Sequence, residues 1–470
     1  MRKTKIICTI GPSCSDKKTL TEMCLAGMNV ARLNFSHGTH EDYLKKIELI
    51  KEVRKELNMP VAIMLDTKGP EYRIKTFKND KITLKEGDKF VLTTEEIIGD
   101  ENRVSVNYAG LPRELSAGDT ILLNDGMLTL SVDSVDGNDI NCTVLLGGEL
   151  SNRKSMSFPN KHLHQIYLSE QDKSDILFGI QNDVDFIACS FVSCRQDMVD
   201  VKEFIMQNGG KDIDLIAKIE NRSGVDNIEE ICEECTGIMI GRGDMGVEIP
   251  FEELPAIQKR LITKCRLLGR RVITATEMLE SMIYNPRPTR AEISDVANAV
   301  YDGTSAIMLS GETAAGKYPV KTVKAMSKIA EHTEENIHYK KRFFSSSFKI
   351  KDTVDAVSHA TCAMAMDIDA KAIVVCSLSG KTARMVSRFR PPMNVIGLTT
   401  NEKTYRKLAM SWGVLPMMCD RFDSTDVLFY TAKNKAIDEF SLQSGDHIVI
   451  TGGMTNGVSG NTNTIKVENV

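Results

Sequence analysis

Two short pieces of this chain carry residue types whose spacing could do chemistry: Lys218-Ile219-Glu220-Asn221 and Gly241-Arg242-Gly243-Asp244. Each closes an apolar run, 213–217 in the first case and 236–240 in the second. If both runs are β-strands, neighbouring strands deliver Glu220 and Asp244 at their carboxyl ends, with Lys218 beside them. Two carboxylates and a lysine suit a hard divalent cation next to a phosphoryl group. Mg²⁺ prefers oxygen ligands and usually takes one or two protein carboxylates, leaving positions for substrate oxygens. The lysine offsets charge on a phosphoryl group in transfer. A plainer reading, strand-end charges on a solvated rim, remains open for either piece taken singly.

Other strand-like runs also end in polar residues. Arg32 lies near the end of the second run, Asn34, Ser36 and His37 follow it, and Asp66, Thr67 and Arg73 follow the third. Thr276 and Glu277 follow the seventh, and Ser310 and Glu312 the eighth. Arg32 and Arg73 can fork onto phosphate or carboxylate oxygens. Asn34, Ser36, Asp66 and Thr67 offer hard oxygens with only one formal charge, which fits a monovalent cation better than a second Mg²⁺. Gly243 lets backbone N–H groups approach an anion closely. Against this, Ser36 and Thr67 also read as turn-capping hydroxyls. Arg73 also reads as a hinge charge, and His37 as a turn residue with no paired base.

The elements that must position these residues come next. Eight apolar runs, at 5–10, 28–33, 61–65, 184–189, 213–219, 236–240, 271–275 and 305–309, alternate with amphipathic segments. Such alternation predicts a parallel sheet, and eight repeats predict a closed (β/α)8 TIM barrel whose carboxyl-end face carries the chemistry. The long interval 66–183 contains short alternating runs punctuated by Glu86-Gly87-Asp88, Gly118-Asp119 and Asp136-Gly137-Asn138. It reads as a small inserted all-β lid over that face. The expected division is a barrel over 1–69 and 170–338, a lid over 70–169, a linker over 339–348 and a C-terminal α/β domain over 349–470. In that last domain, strands are predicted at 372–376, 394–398, 414–417, 447–451 and 464–467. Ser377, Ser379, Gly380, Lys381 and Thr382 would open a helix there, a natural anion site. The loops 451–453 and 459–463 would lie beside it, although plain βα turns explain the same residues.

Bulk properties narrow the class. With 470 residues, 42% hydrophobic and 26% charged, the chain is that of a multidomain globular protein. A net charge of -5 argues against nucleic acid or an anionic membrane as partner. No apolar run has membrane-spanning length. The twelve cysteines are dispersed and no export signal precedes them, so they read as reduced thiols of a cytoplasmic protein. Cys232-Glu233-Glu234-Cys235 lacks the second ligand pair a zinc site needs.

At the strand ends the chain closely resembles the pyruvate kinase family. The resemblance rests on ordered blocks along the whole length. They are Asn29-Val30-Ala31-Arg32-Leu33-Asn34-Phe35-Ser36-His37-Gly38, Leu65-Asp66-Thr67-Lys68-Gly69-Pro70-Glu71, Lys218 to Asn221, Gly241-Arg242-Gly243-Asp244-Met245-Gly246, and Asn285-Pro286-Arg287-Pro288-Thr289-Arg290. It implies transfer of a phosphoryl group from phosphoenolpyruvate to ADP, giving pyruvate and ATP in the last step of glycolysis. It implies that Lys218 stabilises that group and that Glu220 and Asp244 hold Mg²⁺ (or Mn²⁺). Arg32, Gly243, Asp244 and Thr276 would hold the substrate. Asn34, Ser36, Asp66 and Thr67 would bind K⁺, with Glu71 marking the K⁺-dependent type. Asn34, Phe35, Ser36, His37, Arg73 and Lys154 would face the nucleotide. Ser310 and Glu312 would belong to a water network that protonates the enolate. The C-terminal loop 377–382 would take a sugar-phosphate effector, and the assembly would be a homotetramer.

Some positions depart from the family pattern. Glu277 replaces a usual glutamine, Asn124 replaces an aspartate in the lid, Ser193-Cys194 replaces Arg-Lys, and Leu378 stands where some fructose-1,6-bisphosphate-responsive members carry lysine. Glu277 would raise the Michaelis constant for an anionic substrate. Two other readings compete: a metal-dependent lyase or aldolase acting on pyruvate-like acids, and a sugar-phosphate sensor with a disabled barrel. The first leaves the lid unexplained, and Lys218, Glu220, Asp244 and Thr276 argue against the second.

Overall fold

A computed structural model describes the whole chain except residues 160, 162, 164–165, 422–423 and 454–461. Eight parallel strands close into a barrel: Lys5–Thr9, Val30–Asn34, Ala62–Asp66, Phe186–Cys189, Asp214–Ile219, Gly237–Gly241, Arg271–Ala275 and Ala306–Leu309. They are buried on both faces, which is why each reads as an unbroken apolar run. Along the third strand, Ile63 and Leu65 face the outer helices while Ala62 and Met64 face the barrel axis. Met64, Phe186, Ile216, Met239 and Ile273 fill the interior. Met410, from the C-terminal domain, joins that interior cluster and plugs the amino end of the barrel.

The connecting helices start at local signals. Thr39 and Asp42 form a capping box on His40–Glu56, and Thr289 and Glu292 do so on Arg290–Asp302. Ser169 caps Glu170–Gln181 through the backbone N–H of Asp172. Gly303, at φ +97°, ends Arg290–Asp302 in the left-handed conformation that favours glycine.

Between the third and fourth strands lies an all-β insertion. It has a six-stranded sheet that includes Lys89–Thr93, Leu128–Asp136 and Asp139–Leu146, and a two-stranded one pairing Lys81–Leu84 with Gly148–Ser151. Phe90, Leu92, Ile121, Leu130 and Ile140 form its own core. The C-terminal domain holds a five-stranded sheet in the order Val414–Met418, Asn394–Thr399, Ala372–Cys376, His447–Gly453, Thr462–Asn469, the last strand antiparallel.

The stretch 339–348, read as a linker, contains the helix Tyr339–Ser345. Phe343 is buried among Phe348 of the same stretch and His359 and Phe389 of the C-terminal domain, and Tyr339 packs on Trp412. A basic, serine-rich stretch looks like solvated loop until distant apolar partners are brought to it.

Candidate active site

The carboxyl ends of the second to sixth barrel strands converge on Lys218. Its Nζ lies 2.6 Å from Ser190 Oγ, 3.1 Å from Asp66 Oδ1 and 3.1 Å from Glu220 Oε1. The other oxygen of Asp66 accepts from Arg32 Nε at 2.5 Å, and Arg32 also donates to Thr9 Oγ1 at 2.9 Å. Burial works against the charge on Lys218, but Asp66 and Glu220 outweigh it and raise its pKa. Burial would likewise raise Asp66, yet Arg32 and Lys218 hold it below its usual value. The pair therefore keeps both charges inside the barrel mouth.

Glu220 is 2% exposed, and burial pushes its pKa up to about 7, with Asp244 adding to the rise against the pull of Lys218. Its Oε2 accepts the Phe191 N–H at 2.9 Å. Gly241 makes room for it: a Cβ there would lie 2.7 Å from Glu220 Cγ and Oε1. Asp244 is exposed in the first turn of the helix Arg242–Glu248. Glu220 and Asp244 line one cleft of about 180 Å³ together with Tyr72, Arg73 and Phe158 of the insertion, so the lid and the barrel share it. Two carboxylates open to a cleft, with oxygen as their only donor, fit the ligand chemistry of Mg²⁺.

The neighbouring segment is strained. Thr276 and Glu277 have φ of +68° and +53°, a region costly for a β-branched residue. Arg242 holds the turn by donating to Thr276 O at 2.6 Å and Glu277 O at 3.2 Å, while pairing with Asp295 at 2.7 Å. The Thr276 hydroxyl accepts the Gly243 N–H at 2.8 Å, so those two expected residues are in direct contact. Glu277 is exposed and lines a separate outer groove with Phe251 and Pro255 rather than the cleft.

At the last strand, Glu312 is fully buried. Its two oxygens accept the Ser310 N–H at 2.7 Å and the Leu279 N–H at 3.1 Å, tying the seventh and eighth loops together. Ser310 Oγ is buried with no hydrogen-bond partner.

Among the residues expected to bind K⁺, Asn34 Oδ1 accepts the Ser36 N–H at 3.3 Å and Thr67 Oγ1 accepts the Ser190 N–H at 3.3 Å. The single carboxylate of that group, Asp66, already faces two cations. Arg73 and Lys154 sit on adjoining lid-hinge segments, since Arg73 bridges to Ser155. Arg73 forks onto Glu71 at 2.8 and 3.1 Å, and Lys68 also pairs with Glu71 at 3.4 Å. His37 is exposed on the second loop. Phe35, expected among the nucleotide-binding residues, is buried with its ring stacked on Tyr43 at 3.9 Å.

Ser377, Ser379, Gly380, Lys381 and Thr382 lie at the start of the helix Lys381–Arg388, in the domain docked on the amino end of the barrel. Lys381 is exposed, 3.8 Å from Asp352, and Thr382 Oγ1 lies 2.5 Å from Thr462 Oγ1. Most of the adjoining loop 459–463 falls outside the described residues.

Ser190 is a contact that sequence reasoning passed over. It follows the fourth strand, whose carboxyl end carries one hydroxyl and no charge. Phe191, at φ +56°, then turns its N–H onto Glu220. Arg242 stands in the Gly241–Asp244 piece, but its role was hidden, because it holds backbone carbonyls 33 residues and more further on. The position directly after a barrel strand was the available signal for Ser190.

Comparisons with known proteins agree along the whole chain. The family model described as pyruvate kinase, barrel domain, matches residues 1–323, and that described as pyruvate kinase, alpha/beta domain, matches 355–468. A pyruvate kinase of Clostridium acetobutylicum is 46% identical over 470 residues, covering 100% of this chain and 99% of that protein. One from Geobacillus stearothermophilus is also 46% identical, over 99% of this chain and 80% of its own length. The crystal structure of a pyruvate kinase from Cryptosporidium parvum superimposes with a TM-score of 0.95 at 38% identity, covering 100% of this chain and 96% of that one.

Proposed function

This chain belongs to the pyruvate kinase family, phosphotransferases that move the phosphoryl group of phosphoenolpyruvate to ADP, and we propose that Lys218 is the group that meets that phosphoryl in transfer. The observation that carries this reading is a charged, buried lysine held between Asp66 and Glu220, of which Glu220 lines the lid cleft. Phosphoryl transfer needs little covalent help and much fixed charge. Lys218 is fixed by three contacts and gives up little freedom when the reaction begins.

Glu220 and Asp244 would hold Mg²⁺ or Mn²⁺, and when bound the ion supplies positive charge to phosphoryl and carboxylate oxygens. Arg32, the backbone of Gly243 and Asp244, and the Thr276 hydroxyl orient the substrate acid. Arg73 and Lys154 face the nucleotide phosphates from the hinge, with Asn34, Ser36 and His37 lining the second loop. Asn34, Ser36, Asp66 and Thr67 would bind K⁺ through remaining oxygen lone pairs. Ser310 Oγ, buried and unpartnered, can hold the water that delivers a proton to the enolate carbon. Glu312, with both oxygens committed to backbone N–H groups, positions Ser310 rather than moving the proton itself. The loop 377–382 would take a sugar phosphate, its exposed Lys381 and serine hydroxyls being the supporting chemistry. We further propose a cytoplasmic homotetramer, four copies of the 52.2 kDa chain.

The test is pyruvate formation from phosphoenolpyruvate and ADP, coupled to lactate dehydrogenase, with and without Mg²⁺ and K⁺. Turnover requires both ions, and Lys218→Met lowers kcat roughly 10³-fold. Undiminished turnover in Lys218→Met would remove the lysine from the mechanism, and turnover indifferent to K⁺ would remove the monovalent site.

A further inference from the structure

Where the amino end of the barrel meets the C-terminal domain, six arginines line one gap. Arg266 lies in the last turn of the helix Leu254–Leu267, Arg270 follows that helix, and Arg271 opens the seventh strand. Arg384 and Arg388 lie on the helix Lys381–Arg388, and Arg390 lies just beyond it at φ +54°. Only two carboxylates pair with them among the described residues. Asp214 is shared by Arg271 at 2.8 Å, Arg384 at 3.2 Å and Lys407 at 3.0 Å, while Asp355 lies 3.1 Å from Arg388. Arg266, Arg270 and Arg390 have no ion pair among the described residues. The Nε donors of Arg266, Arg384, Arg388 and Arg390 are buried with no hydrogen-bond partner. Arg388 and Arg390 are 4% and 7% exposed. Burial lowers the pKa of Arg390, and Arg266 lowers it further.

Buried like charges with unused donors are costly unless an opposite charge reaches them. Asp214 and Asp355 answer Arg271, Arg384 and Arg388, but among the described residues no carboxylate pairs with Arg266, Arg270 or Arg390. Arg390 donates to Ser387 O and Gly303 O, each at 2.9 Å, and Arg270 to Cys232 O at 2.6 Å, but the Nε donors of Arg266, Arg384, Arg388 and Arg390 stay unused around one gap, and guanidinium groups from two domains suit the oxygens of a tetrahedral oxyanion. We propose that this junction is a binding site for a phosphate group, either inorganic phosphate or a small phosphomonoester, separate from both the lid cleft and the loop 377–382. The gap now holds about 10 Å³, room for little more than one water-sized particle. A phosphate therefore enters as the half-buried Arg266, Arg270 and Arg384 swing outward. Once bound, it bridges the barrel to the C-terminal domain, and it competes with Asp214 for Arg271 and Arg384. Asp214 opens the strand that ends at Lys218 and Glu220.

Thermal melting of the full chain tests this, with inorganic phosphate and glycerol phosphate added separately and ionic strength held constant with sodium chloride. The background is Lys381→Ala, which takes a cation out of the 377–382 loop. Inorganic phosphate is expected to raise Tm by roughly 2–4 °C over chloride, and adding Arg266→Met is expected to remove at least half of that rise. Without phosphate, Arg266→Met melts no lower than its parent, because it removes uncompensated charge; an arginine needed only for structure would melt lower. A rise with glycerol phosphate as well extends the site to monoesters, and a rise with inorganic phosphate alone restricts it to the free ion. No rise over chloride, or a rise untouched by Arg266→Met, overturns the proposal. Selenate soaked into wild-type crystals provides a check that needs no variant. An anomalous peak among Arg266, Arg388 and Arg390 is expected, and selenate at the 377–382 loop but not here would overturn the site.

Discussion

Lys218 lies on the fifth strand and Glu220 just beyond its end, two residues on, yet their environments set opposite tasks. The lysine keeps its proton because two carboxylates face it, whereas burial pushes Glu220 up to about 7. A group tuned in this way depends on the backbone that makes room for it. Gly241→Ala would place a Cβ 2.7 Å from the Glu220 carboxylate. The displaced ligand should raise the Mg²⁺ concentration for half-maximal pyruvate formation roughly tenfold, as altered support of metal ligands does. Unchanged Mg²⁺ dependence would show that Glu220 does not hold the ion. Arg242 acts at one remove, through the left-handed Thr276–Glu277 turn. Arg242→Met should release that turn and lower kcat/KM for phosphoenolpyruvate about 10²-fold, the cost of a small misplacement. Its KM for ADP should stay near that of the wild type, and an equal loss toward both substrates would point to general unfolding instead. Glu277, expected to repel the substrate, lines the outer groove, so Glu277→Gln should leave the phosphoenolpyruvate KM within about twofold of the wild type at ordinary salt.

At the scale of elements, the fifth strand connects two ends of the barrel. It begins at Asp214, under Arg271, Arg384 and Lys407, and ends beside Lys218 and Glu220. Burial would raise the pKa of Asp214, but Arg384 and Arg271 outweigh it and hold it well below the usual carboxylate range. A depressed folded-state pKa contributes stability above the unfolded value, about 4 for aspartate, and loses it as pH falls through the folded value. Asp214→Asn should therefore lower stability by roughly 3–5 kcal/mol at pH 7, the cost of breaking a buried pair. The gap to wild type should narrow as the pH is taken below 4. Urea unfolding at pH 7 and pH 3.5 measures both, and an equal gap at the two pH values would refute the charge argument. The lid is a second self-contained element, with its own core, held to the barrel by the short hinges around Arg73 and Ser155.

The whole molecule is joined by more than a tether. Met410 plugs the barrel, Phe343 ties the connecting helix into the C-terminal core, and Arg406 reaches Asp183 at 2.7 Å and Asp185 at 2.8 Å. Asp185 is fully buried, and burial raises its pKa despite Arg406. Arg406→Met leaves that carboxylate without its nearest cation and should weaken the junction by roughly 3–5 kcal/mol. Scanning calorimetry should then show the C-terminal domain melting ahead of the barrel; one undivided transition at the wild-type temperature would show that apolar docking alone joins them.

The sequence by itself determined the barrel, because strands buried on both faces must be continuous apolar runs, and those runs can be read without a partner. It determined the lid in the same way, from alternation and turn residues, and it named most of the polar side chains that ring the barrel mouth. Tertiary structure decided what those side chains do to one another. Only folding brings Asp66 and Ser190 to Lys218, turns the Phe191 N–H onto Glu220, and seals the Phe35 ring against Tyr43. It alone made a packed helix of 339–345 and gathered arginines from distant segments around one gap. Local pattern records which face of a segment is buried. Charge balance, strain and partnership depend on residues that are neighbours in space but not along the chain.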